Sequence, residues 1–276
     1  MGVDLKNTII GFIGAGNMAT SLIKGLLARG KTPSKILAAD IDAEKIESLY
    51  KNTGIEIRSN QQIADQADLV VLAVKPQVIE SVCLDINLRP ASSKLIVSIA
   101  AGTTVIQLEK WLGSNTAIVR CMPNTPALIG KGTSGLFANI KVNDNQKNLA
   151  QEVMETVGTS EWVNNESDID SITALSGSGP AYFFLFMEAM QEAAQEFGLS
   201  KELAESLIFN TAIGAAELAK NSEHSITELR ERVTSRGGTT QHAISVFESG
   251  DLKKLVHEAL RAARNRSVEL SQESDK

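Results

Sequence analysis

Along residues 1–164, apolar positions come in short, β-branched runs separated by stretches with helical spacing. The runs are TIIGFI (8–13), KILAA (35–39), DLVVLAV (68–74), KLIVSIA (94–100) and TAIVR (116–120). Such runs, with few polar interruptions, read as strands covered on both faces, and the stretches between them as crossover helices. The first crossover, NMATSLIKGLLARG, has apolar residues at helical spacing and a Gly30 stop. TSGLFANI (133–140) and SEWV (160–163) read as later edge strands flanking a helix over 144–157. The expectation is an α/β domain of the Rossmann type over 1–164, a doubly wound and mostly parallel sheet.

From about residue 165 the strand-like runs stop. The apolar spacing predicts helices over 180–197, 201–220, 225–233, 239–248 and 251–272, an all-α region over 165–276. Gly198 ends the first, Ser200 is placed to cap the second, and Ser225-Ile-Thr-Glu228 reads as a capping box. TAIGAAELA (211–219) is apolar or small nearly all round and needs burial on most sides. About 110 residues of helix offer little mass for that. A partner subunit is therefore expected to cover it, the alternative being burial under the first domain.

Composition narrows the function. The 276 residues are 43% hydrophobic and 22% charged, ordinary for a globular chain. Net charge is −6 with Lys and Arg scattered, which disfavours nucleic acid or an anionic membrane as partner. Cys83 and Cys121 make no disulfide framework, and three histidines form no ligand-spaced cluster, so no metal is expected. The longest apolar runs, such as LVVLAV (69–74), are far too short to span a bilayer. Structure-like sequence begins at Asn7, leaving no room for a signal peptide, and Lys6 spoils the acylation pattern that Met1-Gly2 would start. A cytoplasmic location is expected.

The candidate chemistry starts at GFIGAGNMA (11–19). Gly14-x-Gly16-x-x-Ala19 has the spacing of the dinucleotide fingerprint, directly after a strand and at the start of a helix. Gly14 permits the tight turn, Gly16 lets backbone approach a pyrophosphate, and Ala19 lets helix and strand pack closely. The helix start then offers free N–H groups to the phosphates. Asp40 ends the second strand, 24 positions past Gly16, near the distance at which a carboxylate meets a ribose 2′-hydroxyl. It should repel a 2′-phosphate and favour NADH over NADPH. The competing reading makes Asp40 or Asp42 a helix cap. AVKP (73–76), AAGTT (100–104) and RCMPNTPA (120–127) fall at further strand ends, where open α/β sheets bind ligands. Ala100, Ala101 and Gly102 are small enough for a ligand's close approach.

GFIGAGNMA, AVKP, the AAG stretch, MPNTPA (122–127), LSGSGPAY (175–182) and SRGGTT (235–240), in this order, resemble pyrroline-5-carboxylate reductases over essentially the full length. The resemblance implies reduction of a cyclic imine by NADPH or NADH in proline biosynthesis, and helices that interlock two subunits, often in rings of dimers. It implies cofactor contacts at Ile13, Gly14, Ala15, Gly16, Asn17, Met18, Asp40, Asn60, Ala73, Val74, Lys75 and Pro76. It implies substrate contacts at Glu223, Ser235, Gly237, Gly238, Thr239 and Thr240. Arg236 departs from the proline common at its position, and Asp40 from a small polar residue.

The substrate so implied carries a carboxylate. Amides of Gly237, Gly238 and Thr239, opening a helix, would form an anion nest reinforced by the helix dipole. Otherwise the turn is a plain helix start. Thr240 is the candidate catalytic residue: its hydroxyl would orient the imine nitrogen or relay a proton to it, with Glu223 assisting through water. GSGP (177–180) reads as a helix start or subunit contact. His224, His242 and His257 have no sequence-near partners. A β-hydroxyacid dehydrogenase would need a general acid or base, commonly a Lys on the first helix of its second domain, and 180–197 contains none. A non-catalytic NAD(P) sensor would not need a second glycine loop.

Overall fold

The computed structural model describes residues 5, 7–88 and 94–273. Met1-Gly2 and Lys6, weighed for acylation, lie outside them. The first strands and helices alternate: β1 (Ile10–Ile13), α1 (Asn17–Ala28), β2 (Ile36–Ala39), α2 (Ala43–Thr53), β3 (Glu56–Ile57), α3 (Asn60–Gln66), β4 (Leu69–Leu72), α4 (Pro76–Asp85), β5 (Leu95–Ser98), α5 (Val105–Leu112) and β6 (Ala117–Met122). β7 (Gly132–Ala138), α6 (Asp144–Met154) and β8 (Gly158–Trp162) complete the sheet. Its order is β3-β2-β1-β4-β5-β6-β7-β8. β6 and β7 are antiparallel; the other neighbours are parallel.

Alternation along each strand sends side chains to both faces. Ile10, Phe12, Leu69, Val71, Leu95 and Val97 join one core layer with Leu22 and Leu26 of α1. Ile13, Val70, Leu72 and Ile96 join the other with Ile63 of α3 and Leu108 of α5. The register aligns Ile13 with Ala39 and with Leu72, and Leu72 with Ser98. The segments that follow these residues therefore emerge side by side at one edge. Strand order reverses between β1 and β4, which opens the crevice where such sheets take ligands.

Beyond β8 come α7 (Asp168–Ile172), a π-helical turn at Thr173–Gly177, α8 (Gly179–Glu196), α9 (Lys201–Lys220), α10 (Ile226–Arg232), α11 (Thr239–Ser249) and α12 (Leu252–Glu273). The capping box at Ser225 is formed: Glu228 N–H donates to Ser225 Oγ at 3.2 Å, and Ser225 N–H to Glu228 Oε2 at 2.7 Å. The compact units do not divide where the residue pattern changes. One comprises Met1–Pro180 with Ala262–Lys276, the other Ala181–Arg261. The end of α12 packs on α7 and α5: Ser267 Oγ donates to Asp170 Oδ1 at 2.8 Å, and Gln107 Nε2 to the Ser271 carbonyl at 2.7 Å. Among the described residues no helix is long and apolar enough to cross a membrane, and no group of three or more His, Cys, Asp and Glu is placed to hold a metal ion.

Candidate functional site

The turn between β1 and α1 is shaped by two glycines with different roles. Gly14 has φ +100, and a Cβ there would lie 2.4 Å from the Ala73 carbonyl oxygen, so only glycine passes between the ends of β2 and β4. Its N–H donates to the Ala39 carbonyl at 2.8 Å. Gly16 caps α1, and a Cβ there would meet no atom within 4 Å. Among the described residues no side chain bonds the first amides of α1, and no acidic residue stands in its first turn. Ala19 is fully buried, Ala15 is 2% exposed, and Met18 packs against the core. An open, uncapped helix start at the switch point fits a dinucleotide's pyrophosphate on the amides of Gly16, Asn17 and Met18.

Asp40 lies at the same edge, yet its carboxylate faces main chain: it accepts from Ala15 N–H at 2.7 Å and from Asp42 N–H at 2.9 Å. The cap of α2 is Asp42, not Asp40; Lys45 N–H donates to it at 3.0 Å and holds its carboxyl below the ordinary carboxylate range. Asn60, an implied cofactor contact, is the first residue of α3, behind a Ser59–Gln62 capping box. Ala73 and Val74 follow β4 half-buried, exposed Lys75 caps α4, and Pro76 is its first residue. Ala100 is buried and Ala101 half-buried. Gly102 is needed for packing. It has φ +72, and a Cβ there would lie 2.9 Å from Leu270 Cβ of α12. Its smallness makes room for that helix contact.

In the second unit, Ser235–Thr240 forms the turn into α11. Gly237 has φ +74, and Gly238 is the cap, without a side-chain cap bond. The nest expected from Gly237, Gly238 and Thr239 is only partly available. Gly237 N–H donates to Gln241 Oε1 at 2.5 Å, and Gly238 N–H to the Ser235 carbonyl at 3.1 Å. The open amides are those of Thr239 and Thr240, the first two helical residues, which no intrahelical carbonyl reaches. Ser235 and Thr239 are exposed and Thr240 half-buried. Glu223 is exposed in the turn before α10, and among the described residues no hydrogen bond or ion pair joins it to this turn.

Two features escaped sequence reading. Arg120, 3% exposed on β6, pairs with Glu166 at 3.0 Å and Asp170 at 3.2 Å. Glu166 also accepts from Val105 N–H at 2.7 Å. Asn124, in the MPNTPA segment, donates to the Ser176 carbonyl at 3.1 Å and accepts from Thr133 N–H at 2.8 Å. It pins that segment to the π-helical turn; an Asn between two Pro-flanked positions was the only hint. Both thiols are buried, and burial pushes Cys83 and Cys121 up to about 12.

A doubly wound sheet with a glycine-opened helix start at its switch point, followed by a helical region with a second glycine turn, defines a dinucleotide-dependent oxidoreductase. Comparison with known proteins narrows this. The family described as pyrroline-5-carboxylate reductase dimerisation matches residues 166–270, and that described as NADP oxidoreductase, coenzyme F420-dependent, matches residues 9–102. The chain is 48% identical to the pyrroline-5-carboxylate reductase of Pseudomonas aeruginosa over 265 residues, 96% of this chain and 97% of that one. A solved reductase from Coxiella burnetii superposes with a TM-score of 0.89 at 47% identity, covering 96% of this chain and 98% of that one. One from Plasmodium falciparum, solved with NADP bound, gives 0.87 at 32% identity, covering 97% and 100%. The chain belongs to the pyrroline-5-carboxylate reductase family, NAD(P)-dependent oxidoreductases acting on the CH–NH group, and its helical region is a self-association domain.

Proposed function

We propose that this chain reduces 1-pyrroline-5-carboxylate to L-proline with NADPH or NADH, the last step of proline biosynthesis, holding the substrate's carboxylate on the open start of α11. The uncapped amides of Thr239 and Thr240 carry this reading. They present two N–H donors and the positive end of a helix dipole to an anion. Charge-assisted bonds of this kind contribute roughly 1.5–3 kcal/mol each. The Gln241 bond to Gly237 N–H braces the turn, so the donors are set before substrate arrives.

Residues 1–164 serve the dinucleotide, and 165–276 serve substrate and self-association. Ile13 to Met18, Asp40, Asn60, Ala73 to Pro76, Ala100 and Ala101 would hold the coenzyme. The reduced nicotinamide, when bound, supplies the reducing equivalent to the imine carbon. As that carbon is reduced, the nitrogen takes a proton. The Thr240 hydroxyl, which makes no hydrogen bond among the described residues, orients that nitrogen and relays a proton to it from water, giving one proton and taking another; a hydroxyl both donates and accepts. Ser235 and Glu223 stand by as further polar groups. The Asp40 charge disfavours a 2′-phosphate and biases the chain toward NADH. The assembly is a dimer or a ring of dimers, in the cytoplasm, where two buried, unpaired thiols stay reduced.

The test is coenzyme oxidation by the purified protein, followed optically with pyrroline-5-carboxylate and without it, for NADH and NADPH. Oxidation that depends on the imine and yields proline is expected. Coenzyme binding with no imine-dependent turnover would instead mark a sensor and end the proposal.

A further inference from the structure

Two segments far apart in sequence meet at one side chain. Asp40 Oδ2 accepts from Ala15 N–H at 2.7 Å, and Oδ1 accepts from Asp42 N–H at 2.9 Å. Next to this bond, Gly14 N–H is held on the Ala39 carbonyl at 2.8 Å. Ala15 is 2% exposed, so its amide has little access to water and depends on the carboxylate. One residue further on the amides are open: a Cβ at Gly16 would meet no atom within 4 Å, and among the described residues no side chain bonds the α1 start. The amides are thus engaged up to Ala15 and open from Gly16, while the Gly16 carbonyl already accepts from Thr20 N–H at 2.9 Å.

We propose that Asp40 is a positioning residue for the pyrophosphate turn. Its bond to Ala15 sets the direction in which the amides of Gly16, Asn17 and Met18 point before any coenzyme is present. This rests on the reading that the first unit binds a dinucleotide, and it differs from a contact to the ribose. The Asp40 charge acts at the 2′ position and changes the ratio of the two coenzymes. The Asp40–Ala15 bond acts through the turn and changes the affinity for both together.

The two roles separate with a ligand that lacks the 2′-hydroxyl. ADP-ribose and 2′-deoxy-ADP-ribose are titrated calorimetrically into the full-length protein, D40A and D40N, with each variant's Tm recorded. D40A is expected to bind both ligands about tenfold more weakly, the scale of one charge-assisted hydrogen bond. D40N, which keeps an acceptor oxygen in the same place, recovers most of that loss for both. In turnover, D40A raises KM for NADH by a similar factor and KM for NADPH by less, because losing the charge also relieves the 2′-phosphate, with a smaller change in kcat. If D40A does not fold, Asp40→Ser, whose shorter side chain falls away from Ala15, takes its place. The proposal is overturned if D40A weakens ADP-ribose but leaves 2′-deoxy-ADP-ribose untouched, or if D40N loses as much as D40A. If the unaltered protein binds neither ligand, the dinucleotide reading itself fails.

Discussion

Thr240 is the residue on which the proposed chemistry turns. It is half-buried in the first turn of α11, beside glycines that leave the backbone accessible. Thr240→Ala should lower kcat about a hundredfold, the low end of what a proton-handling group contributes, while the KM for coenzyme stays within about twofold. Thr240→Ser should keep most of the rate. Steady-state kinetics with both substrates varied would reveal this, and near-normal turnover of the alanine variant would remove the role. The residues at this turn were legible from glycine spacing and from the resemblance. Their bonding was not. Gln241 reaches back to the Gly237 amide, and so takes one of the donors that the spacing alone assigned to the ligand. Likewise Asp40 was legible as a carboxylate at a strand end, but its bond to Ala15 spans 25 positions and exists only once β1 and β2 are paired in register.

At the scale of elements, the strands and helices were legible where periodicity is local and long. The runs at 8–13, 35–39, 68–74, 94–100 and 116–120 became β1, β2, β4, β5 and β6 with trimmed ends. β3, two residues at Glu56–Ile57, is too short to show alternation. The π-helical turn at Thr173–Gly177 takes part in a long-range contact that local spacing does not reveal: Asn124 from the MPNTPA segment bonds the Ser176 carbonyl. Arg120 illustrates the same limit. In TAIVR it reads as the polar end of a strand, yet it is buried and joins β6 to α7 through Glu166 and Asp170, and Asp170 in turn accepts from Ser267 of α12. Removing the cation leaves two largely buried carboxylates facing each other. Arg120→Leu should therefore destabilise the protein by about 3–5 kcal/mol, seen as a lower midpoint in urea. Adding Glu166→Gln and Asp170→Asn should return much of the loss, because the uncompensated charge is gone. An unchanged midpoint for Arg120→Leu would mean that the network contributes nothing.

For the whole molecule, a single chain leaves its helical unit short of a covering. Phe183, Phe184 and Leu185 on α8 are 68%, 64% and 66% exposed, and Ile213 and Leu218 on α9 are 57% and 60% exposed. The residues that α9 buries in the single chain are Ile208 and the smaller Ala204. Apolar surface on this scale marks an interaction site in a stable protein. The match of 166–270 to a dimerisation family names the occupant as a second copy of the chain. The all-round apolar character of 211–219 pointed to this need from the sequence, because so few helices offer little mass to cover it, with burial under the first domain as the alternative. Which faces meet was not legible, since helical periodicity gives the width of an apolar stripe and not its partner. Placing a charge in the middle of that surface tests the account. Ile213→Asp would bury an unpaired carboxylate at the contact, which costs far more than the lost methyl groups. The variant is expected to sediment as a monomer where the unaltered protein sediments as a dimer or larger. Its Tm should fall and lose its dependence on protein concentration, because folding is no longer linked to association. If Ile213→Asp kept the same sedimentation coefficient and the same concentration dependence, α9 would lie outside the contact. The apolar surface of this unit would then have to be covered through α8 instead.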